Sequence, residues 1–322
     1  MSNTNYTFAV ARIRALEVSL FSKSVIDQLM ACKTYEECMR FLEDKGWGDG
    51  SGKQDGDTML SEERKKIWET VEELGISMDA FGVISYPNAF HNLKTAIKET
   101  LTDKHRDDFF YENTVPSREE LREIIKSKDF GRLPKNMEEA AKDAYETLMH
   151  TNDGQLCDVI IDKACLEAIL EAAESADDVI AAYARTVVAV ANIKIAVRCQ
   201  KTKKSYDFMM RALTNCSGMQ TDALAKAALG GFDTLCAYLE SSGYGAASEA
   251  LKISPSAFER WCDNHLIEMF QPQKFESFTI GPVMAYIIAR ENEIKTVGII
   301  LSGKRNGLPD SFITERIREM YV

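Results

Sequence analysis

Asn92-Leu93-Lys94-Thr95-Ala96-Ile97, Asn192-Ile193-Lys194-Ile195-Ala196-Val197 and Glu293-Ile294-Lys295-Thr296-Val297-Gly298 share one pattern of polar, aliphatic, lysine and small positions. Their lysines are 100 and 101 residues apart, and self-similarity at a fixed period marks a chain assembled from related units. Some ten residues past each lysine comes a basic cluster: Lys104-His105-Arg106, Lys203-Lys204 and Lys304-Arg305. A second echo pairs Phe41-Leu42-Glu43-Asp44-Lys45-Gly46-Trp47-Gly48 with Tyr238-Leu239-Glu240-Ser241-Ser242-Gly243-Tyr244-Gly245 at an offset of 197, near two periods, with a faint middle copy at Ala141 to Asp153. The period predicts three helical lobes, 1–110, 111–212 and 213–322, packed around a pseudo-threefold axis, with the basic clusters as a rough ring. Cations at a helix C-terminus also complement the macrodipole, worth about 0.3–1 kcal/mol each, so the clusters have a structural explanation as well.

The punctuation around these strings is helical. Thr34 followed by Glu37 reads as a capping box, with Cys38, Phe41 and Leu42 on one face and Gly46 as the stop. Ser61 is predicted to cap a run whose Ile67, Trp68, Val71 and Leu74 form a stripe before Gly75, and Ser117 with Glu120 caps a run carrying Leu121, Ile124 and Ile125. Glycine and proline together number only 25 of 322 residues, and alternating strand patterns are nearly absent. The fold class expected is all-α.

Composition narrows the function. With 45% hydrophobic residues the chain can bury a sizeable core, and its 28% charged residues fit a globular protein. A net charge of −11 repels phosphate backbones and anionic membrane surfaces, so no nucleic-acid partner is expected. The longest uncharged apolar stretch, Ser277 to Ala289, has 13 residues where a membrane span needs about 20, which predicts a soluble chain with no transmembrane segment. Eight cysteines without a CxxC pair read as reduced thiols, and the dispersed His91, His105, His150 and His265 suggest no local metal site.

Three tempting motifs fail on chemistry. Gly298 to Arg305 nearly spells the phosphate-binding GxxxxGK[ST] loop, but Arg305 stands where a hydroxyl must hold magnesium, and the run Ile299-Ile300-Leu301 reads as helix ending at Gly303. Gly48 to Asp57 lacks the carboxylate spacing of a calcium loop and reads as a surface loop. Ala246 to Phe270 resembles a helix-turn-helix, yet Glu259, Asp263 and Glu268 outweigh Arg260 on the helix that would enter the groove. No GxSxG elbow or HExxH pair appears, so no active site, cofactor or metal is expected.

Two strings carry a family resemblance: Tyr6 followed by Val10-Ala11-Arg12-Ile13-Arg14-Ala15-Leu16-Glu17, and Ala289-Arg290-Glu291-Asn292-Glu293-Ile294-Lys295 with Ser302-Gly303-Lys304-Arg305-Asn306-Gly307-Leu308-Pro309. On these the whole chain resembles the C subunit of bacterial and archaeal V-type ATPases, the relative of the eukaryotic d subunit. The resemblance implies an all-helical, three-lobed funnel on the central axis of a rotary motor, doing no chemistry and binding no nucleotide itself. It implies the rotor shaft of the soluble ATPase head as one partner and the membrane rotor ring of proteolipid subunits as the other, with the chain peripheral on the cytoplasmic side. Interface candidates are Lys104, Lys204, Lys304 and Arg305 from the basic clusters, and Arg12, Arg14, Glu291 and Lys295 from the family strings. The alternatives are a generic helical scaffold and, behind it, a nucleotide-binding protein using Gly298–Arg305. The coupled ion, proton or sodium, is chosen by ring residues of another chain.

Overall fold

The computed structural model describes residues 4–101, 106–174 and 176–322. Among them are sixteen α-helices and no β-strand, as the helical punctuation predicts. The chain divides into two compact units: residues 1–78 with 244–322, and residues 79–243. Both ends therefore enter one body, so compactness does not follow the hundred-residue period.

The first unit begins with α1 (Thr4–Glu17), α2 (Lys23–Ala31), α3 (Tyr35–Asp44) and α4 (Gly56–Glu73). The Thr34 hydroxyl accepts from the Glu37 N–H and caps α3, while the Glu37 carboxylate reaches one residue past the expected box, to the N–H of Lys33. The start of α4 differs from the sequence expectation: Asp55, not Ser61, is the cap, accepting from the Thr58 N–H at 2.8 Å. Gly56 permits that earlier start, because its N–H donates to the Tyr35 hydroxyl at 2.7 Å and a Cβ there would lie 2.9 Å from that oxygen. Residues 48–55 are the expected surface loop.

The second unit runs through α5 (Gly82–Glu99), α6 (Arg118–Ser127), α7 (Lys135–Thr151), α8 (Gly154–Ala173), α9 (Asp178–Lys201), α10 (Tyr206–Ala212), α11 (Thr221–Leu229) and α12 (Phe232–Ser241). Ser117 and Glu120 form the reciprocal capping box read in the sequence. Helix α8 packs against α5, α7, α9 and α10, and α9 against α11. By length and composition α9 is apolar enough to cross a membrane, which the count of uncharged runs overlooked because Arg185 and Lys194 interrupt it; half of its most apolar stretch is buried within its own unit.

The chain then returns to the first unit as α13 (Gly245–Ile253), α14 (Pro255–Glu268), α15 (Gly281–Arg305) and α16 (Asp310–Thr314). Ser254 separates α13 from α14 and caps the latter through the Ala257 N–H, with Pro255 in the first helical turn where its missing donor costs nothing. Helix α15 is the core, buried along most of its length against α4, α1, α3, α14 and α16. Fully buried Val283, Ile287, Ile294, Val297 and Ile300 each contribute about 1.5–3 kcal/mol. The Gly298–Arg305 segment is continuous helix rather than a phosphate loop, and Gly303 is not its stop. A Cβ on Gly303 would lie 2.6 Å from Ile313, so this glycine is where α16 seats on α15.

Candidate functional site

The hundred-residue strings fold into α5, α9 and α15, and each of these helices carries a buried asparagine near its middle. The Asn92 carbonyl accepts from the Tyr111 N–H while its amide donates to the Tyr111 carbonyl, both at 2.8 Å. Asn192 does the same to Thr214, at 3.0 and 2.7 Å. In the third case the two groups of Glu319 are shared: its N–H donates to Asn264 at 3.0 Å and its carbonyl accepts from Asn292 at 2.7 Å. A side-chain amide is a donor and an acceptor on one planar group, which matches the N–H and C=O of a single extended residue, and burial makes both bonds obligatory. The lysines of the first and third strings also act alike, Lys94 pairing with Asp162 of α8 at 2.7 Å and Lys295 with Asp263 of α14 at 2.5 Å. The third asparagine falls one position before the residue aligned by the lysines, whose place Glu293 holds.

Glu293 belongs to a cluster that the sequence did not single out. Arg290 on α15 bonds Glu293 on the same face and Glu63 on α4, the latter at 2.6 Å, and its guanidinium lies over the Trp47 ring. Glu63 also accepts from the Gly48 N–H and the Lys66 ammonium, and Glu293 from the Phe21 N–H at 2.6 Å. Glu63 and Glu293 are 3% and 2% exposed, so these bonds replace lost solvation rather than decorate a surface. Burial pushes the Glu293 carboxyl up to about 7 despite the guanidinium beside it. The available signal was Arg290 and Glu293 three residues apart on an apolar helix.

The interface candidates fall in different settings. Lys104 lies outside the described residues. Lys204 donates to Gln155 at 2.5 Å and sits over Phe208, in the second unit. All the others are in the first unit. Lys304 is internal: its ammonium donates to the Met30 carbonyl at 2.8 Å and pairs with Asp310 at 2.9 Å. Arg305 bonds Tyr35 and Asp57. Arg14 ties α1 to the segment before α15 through the Gln273 and Glu276 carbonyls, and pairs with Glu17. Lys295 and Arg318 converge on Asp263; burial alone would raise that carboxyl, but the two cations hold it below its ordinary value. Glu291 faces Arg64 at 3.6 Å, with burial raising its carboxyl. Arg12 is exposed and, among the described residues, has neither hydrogen bond nor ion pair.

Equal spacing does not make Lys204 and Lys304 equivalent. Helix α9 closes at Lys201 with Lys203 in the left-handed conformation and the Lys204 N–H on the Cys199 carbonyl; α15 closes at Arg305 with Gly307 left-handed and the Leu308 N–H on the Gly303 carbonyl. Lys204 thus follows its helix, whereas Lys304 stands inside the last turn of its own. Among the described residues no three His, Cys, Asp or Glu side chains come together as metal ligands would.

The family described as ATP synthase (C/AC39) subunit matches residues 9–316. This chain belongs to that family. Across 326 residues it is 24% identical to the C subunit of the V-type sodium ATPase of Enterococcus hirae, covering 96% of this chain and 97% of that one. It is also 24% identical over 339 residues to the C subunit of the A-type ATP synthase of Methanobrevibacter smithii, covering 97% and 88% of the two chains. The A-type C subunit of Methanocaldococcus jannaschii is 22% identical over 359 residues, 98% and 86% of the two chains. Membership of this family agrees with the resemblance carried by the N- and C-terminal strings.

Proposed function

We propose that this chain is a C subunit acting as a non-catalytic rotor element, coupling the shaft of the soluble ATPase head to the membrane rotor ring for proton or sodium transport. It sits peripherally on the cytoplasmic side. The observation that carries this reading is the family match from residue 9 to residue 316, with relatives named as V-type and A-type C subunits that align over nearly their full length. In this reading the segments 1–110, 111–212 and 213–322 are three related lobes about the motor axis. The buried asparagine clamps on α5, α9 and α15 support the common descent of the segments, and each ties its helix to a residue further along the chain, Tyr111, Thr214 or Glu319. Torque transmission asks for such fixing, because a close-packed helix with its following segment bonded to it deforms little under load. Arg12 is the candidate with a guanidinium available to a partner; the internally paired candidates shape the surface from behind.

The test is coupling in membranes that carry the whole complex. Membranes depleted of this chain should still hydrolyse ATP while ATP-driven ion uptake is lost, and adding the purified chain back should restore uptake and the attachment of the shaft to the ring. Full-rate uptake in its absence would overturn the proposal. A chain that binds ATP tightly when isolated would favour the nucleotide-binding alternative.

A further inference from the structure

Cys32 caps the C-terminal end of α2 and Cys38 stands in the first turn and a half of α3, so the two thiols flank one short corner of the first unit. Cys32 Sγ lies 3.7 Å from the Gln28 carbonyl oxygen, and Cys38 Sγ 3.7 Å from the Leu29 carbonyl oxygen. Those acceptors belong to consecutive residues of a single helical turn, so both sulfurs sit against the last turn of α2. The two thiols differ in access. Cys38 is fully buried, whereas Cys32 is half-buried and borders an open pocket of ≈ 330 Å³ with Lys33, Lys304, Gly307 and Asp310. An accessible thiol backed by a sheltered one is the arrangement of an attacking and a resolving cysteine.

We propose that Cys32 and Cys38 form a reversible dithiol–disulfide couple, oxidised by small disulfides of anionic low-molecular-weight thiols that enter this pocket. The Cys32 thiolate attacks one sulfur of the incoming disulfide; its S–S bond breaks, and one thiolate leaves and is protonated. Cys38 then gives its proton to solvent and attacks Cys32 Sγ, and the second small thiol leaves. Two protein thiols become one disulfide while one small disulfide becomes two thiols, a balanced two-electron exchange. Lys33, exposed beside Cys32 at the rim, favours oxidants bearing carboxylates. The second step is the slow one, because burial, reinforced by Cys32, pushes the Cys38 thiol up to about 12. Its rate should therefore rise about tenfold per pH unit across the neutral range.

The experiment incubates the full-length reduced chain with glutathione disulfide at pH 7, 8 and 9, then alkylates it and maps peptides by mass spectrometry. A Cys32–Cys38 cross-link should appear after a transient glutathione adduct on Cys32, with conversion accelerating about tenfold per pH unit. In Cys38→Ala the adduct on Cys32 should persist, and in Cys32→Ser neither product should form at Cys38. A wild-type adduct that never resolves, a cross-link between other cysteines, or no reaction at Cys32 would each overturn the proposal. If Cys38→Ala fails to give a native circular dichroism spectrum, the mapped Cys32–Cys38 cross-link in the wild type and the loss of both products in Cys32→Ser decide the question.

Discussion

Arg290 holds two buried carboxylates, and its balance depends on pH through Glu293. An ordinary glutamate carboxyl titrates near 4.5, whereas burial brings Glu293 to about 7. Between those values the folded chain holds a proton that the unfolded chain has released, so raising the pH through this window removes stability, and the loss is complete once the folded group has ionised. Glu293→Gln has no proton to lose. The stability of the wild type relative to this variant should accordingly fall by roughly 3 kcal/mol between pH 4.5 and 7.5, read from urea midpoints; a constant difference would show that Arg290 keeps Glu293 ionised throughout. The same scale separates Arg12 from Lys304. Arg12→Glu touches no partner and should shift stability by no more than about 0.5 kcal/mol, while weakening retention on the assembled complex in a salt-dependent way. Lys304→Ala should instead cost the isolated chain about 1–3 kcal/mol, since it strips a donor from the Met30 carbonyl and a partner from Asp310. Equal retention of Arg12→Glu at low and high salt would remove Arg12 from the interface.

At the scale of elements, caps decide where helices begin, and the two candidates for α4 give a direct comparison. Asp55→Ala should destabilise by about 1 kcal/mol because the Thr58 N–H loses its acceptor, whereas Ser61→Ala, at an exposed interior position, should cost less than about 0.5 kcal/mol. The reverse order in thermal or urea unfolding would restore Ser61 as the cap. Why one cap was legible and the other was not is a matter of distance along the chain. Ser117 and Glu120 satisfy each other three residues apart, and a local pattern can be read locally. The early start of α4 depends on Tyr35, twenty-one residues upstream of Gly56, whose hydroxyl takes the N–H that the new helix end exposes. Lys304 shows the same limit: its position near a helix end was legible, but the Met30 carbonyl that occupies it lies 274 residues away. Gly303 looked like a helix stop because glycine usually is one, while its real constraint is Ile313 pressing against a surface without a Cβ. The repeat strings were legible because helix-internal residues keep their spacing; their clamps were not, since Tyr111, Thr214 and Glu319 lie at unequal distances beyond their asparagines.

The whole chain has a period in its sequence and a different partition in its packing, and the difference can be tested with fragments. Residues 79–243 are one continuous segment with α5 to α12 packed on each other, so the information for that unit is contained in a single stretch. Residues 1–78 lack their core: α1, α3 and α4 pack against α15, which arrives more than two hundred residues later with Ile294, Val297 and Ile300. A helix deprived of its apolar partner keeps only its weak intrinsic propensity, because most helical stability in proteins comes from packing. Fragment 79–243 should therefore show a single sharp urea transition by circular dichroism. Fragment 1–78 should melt gradually from a partly helical state, and mixing it with fragment 244–322 should restore a sharp transition whose midpoint rises with concentration. Buried Arg290 makes the requirement stronger, since without α15 the Glu63 carboxylate has lost the guanidinium that compensates its burial and must turn outward. A cooperative transition in 1–78 alone would mean that the first lobe carries its own core, and the hundred-residue period rather than the two-unit partition would then describe how the chain folds.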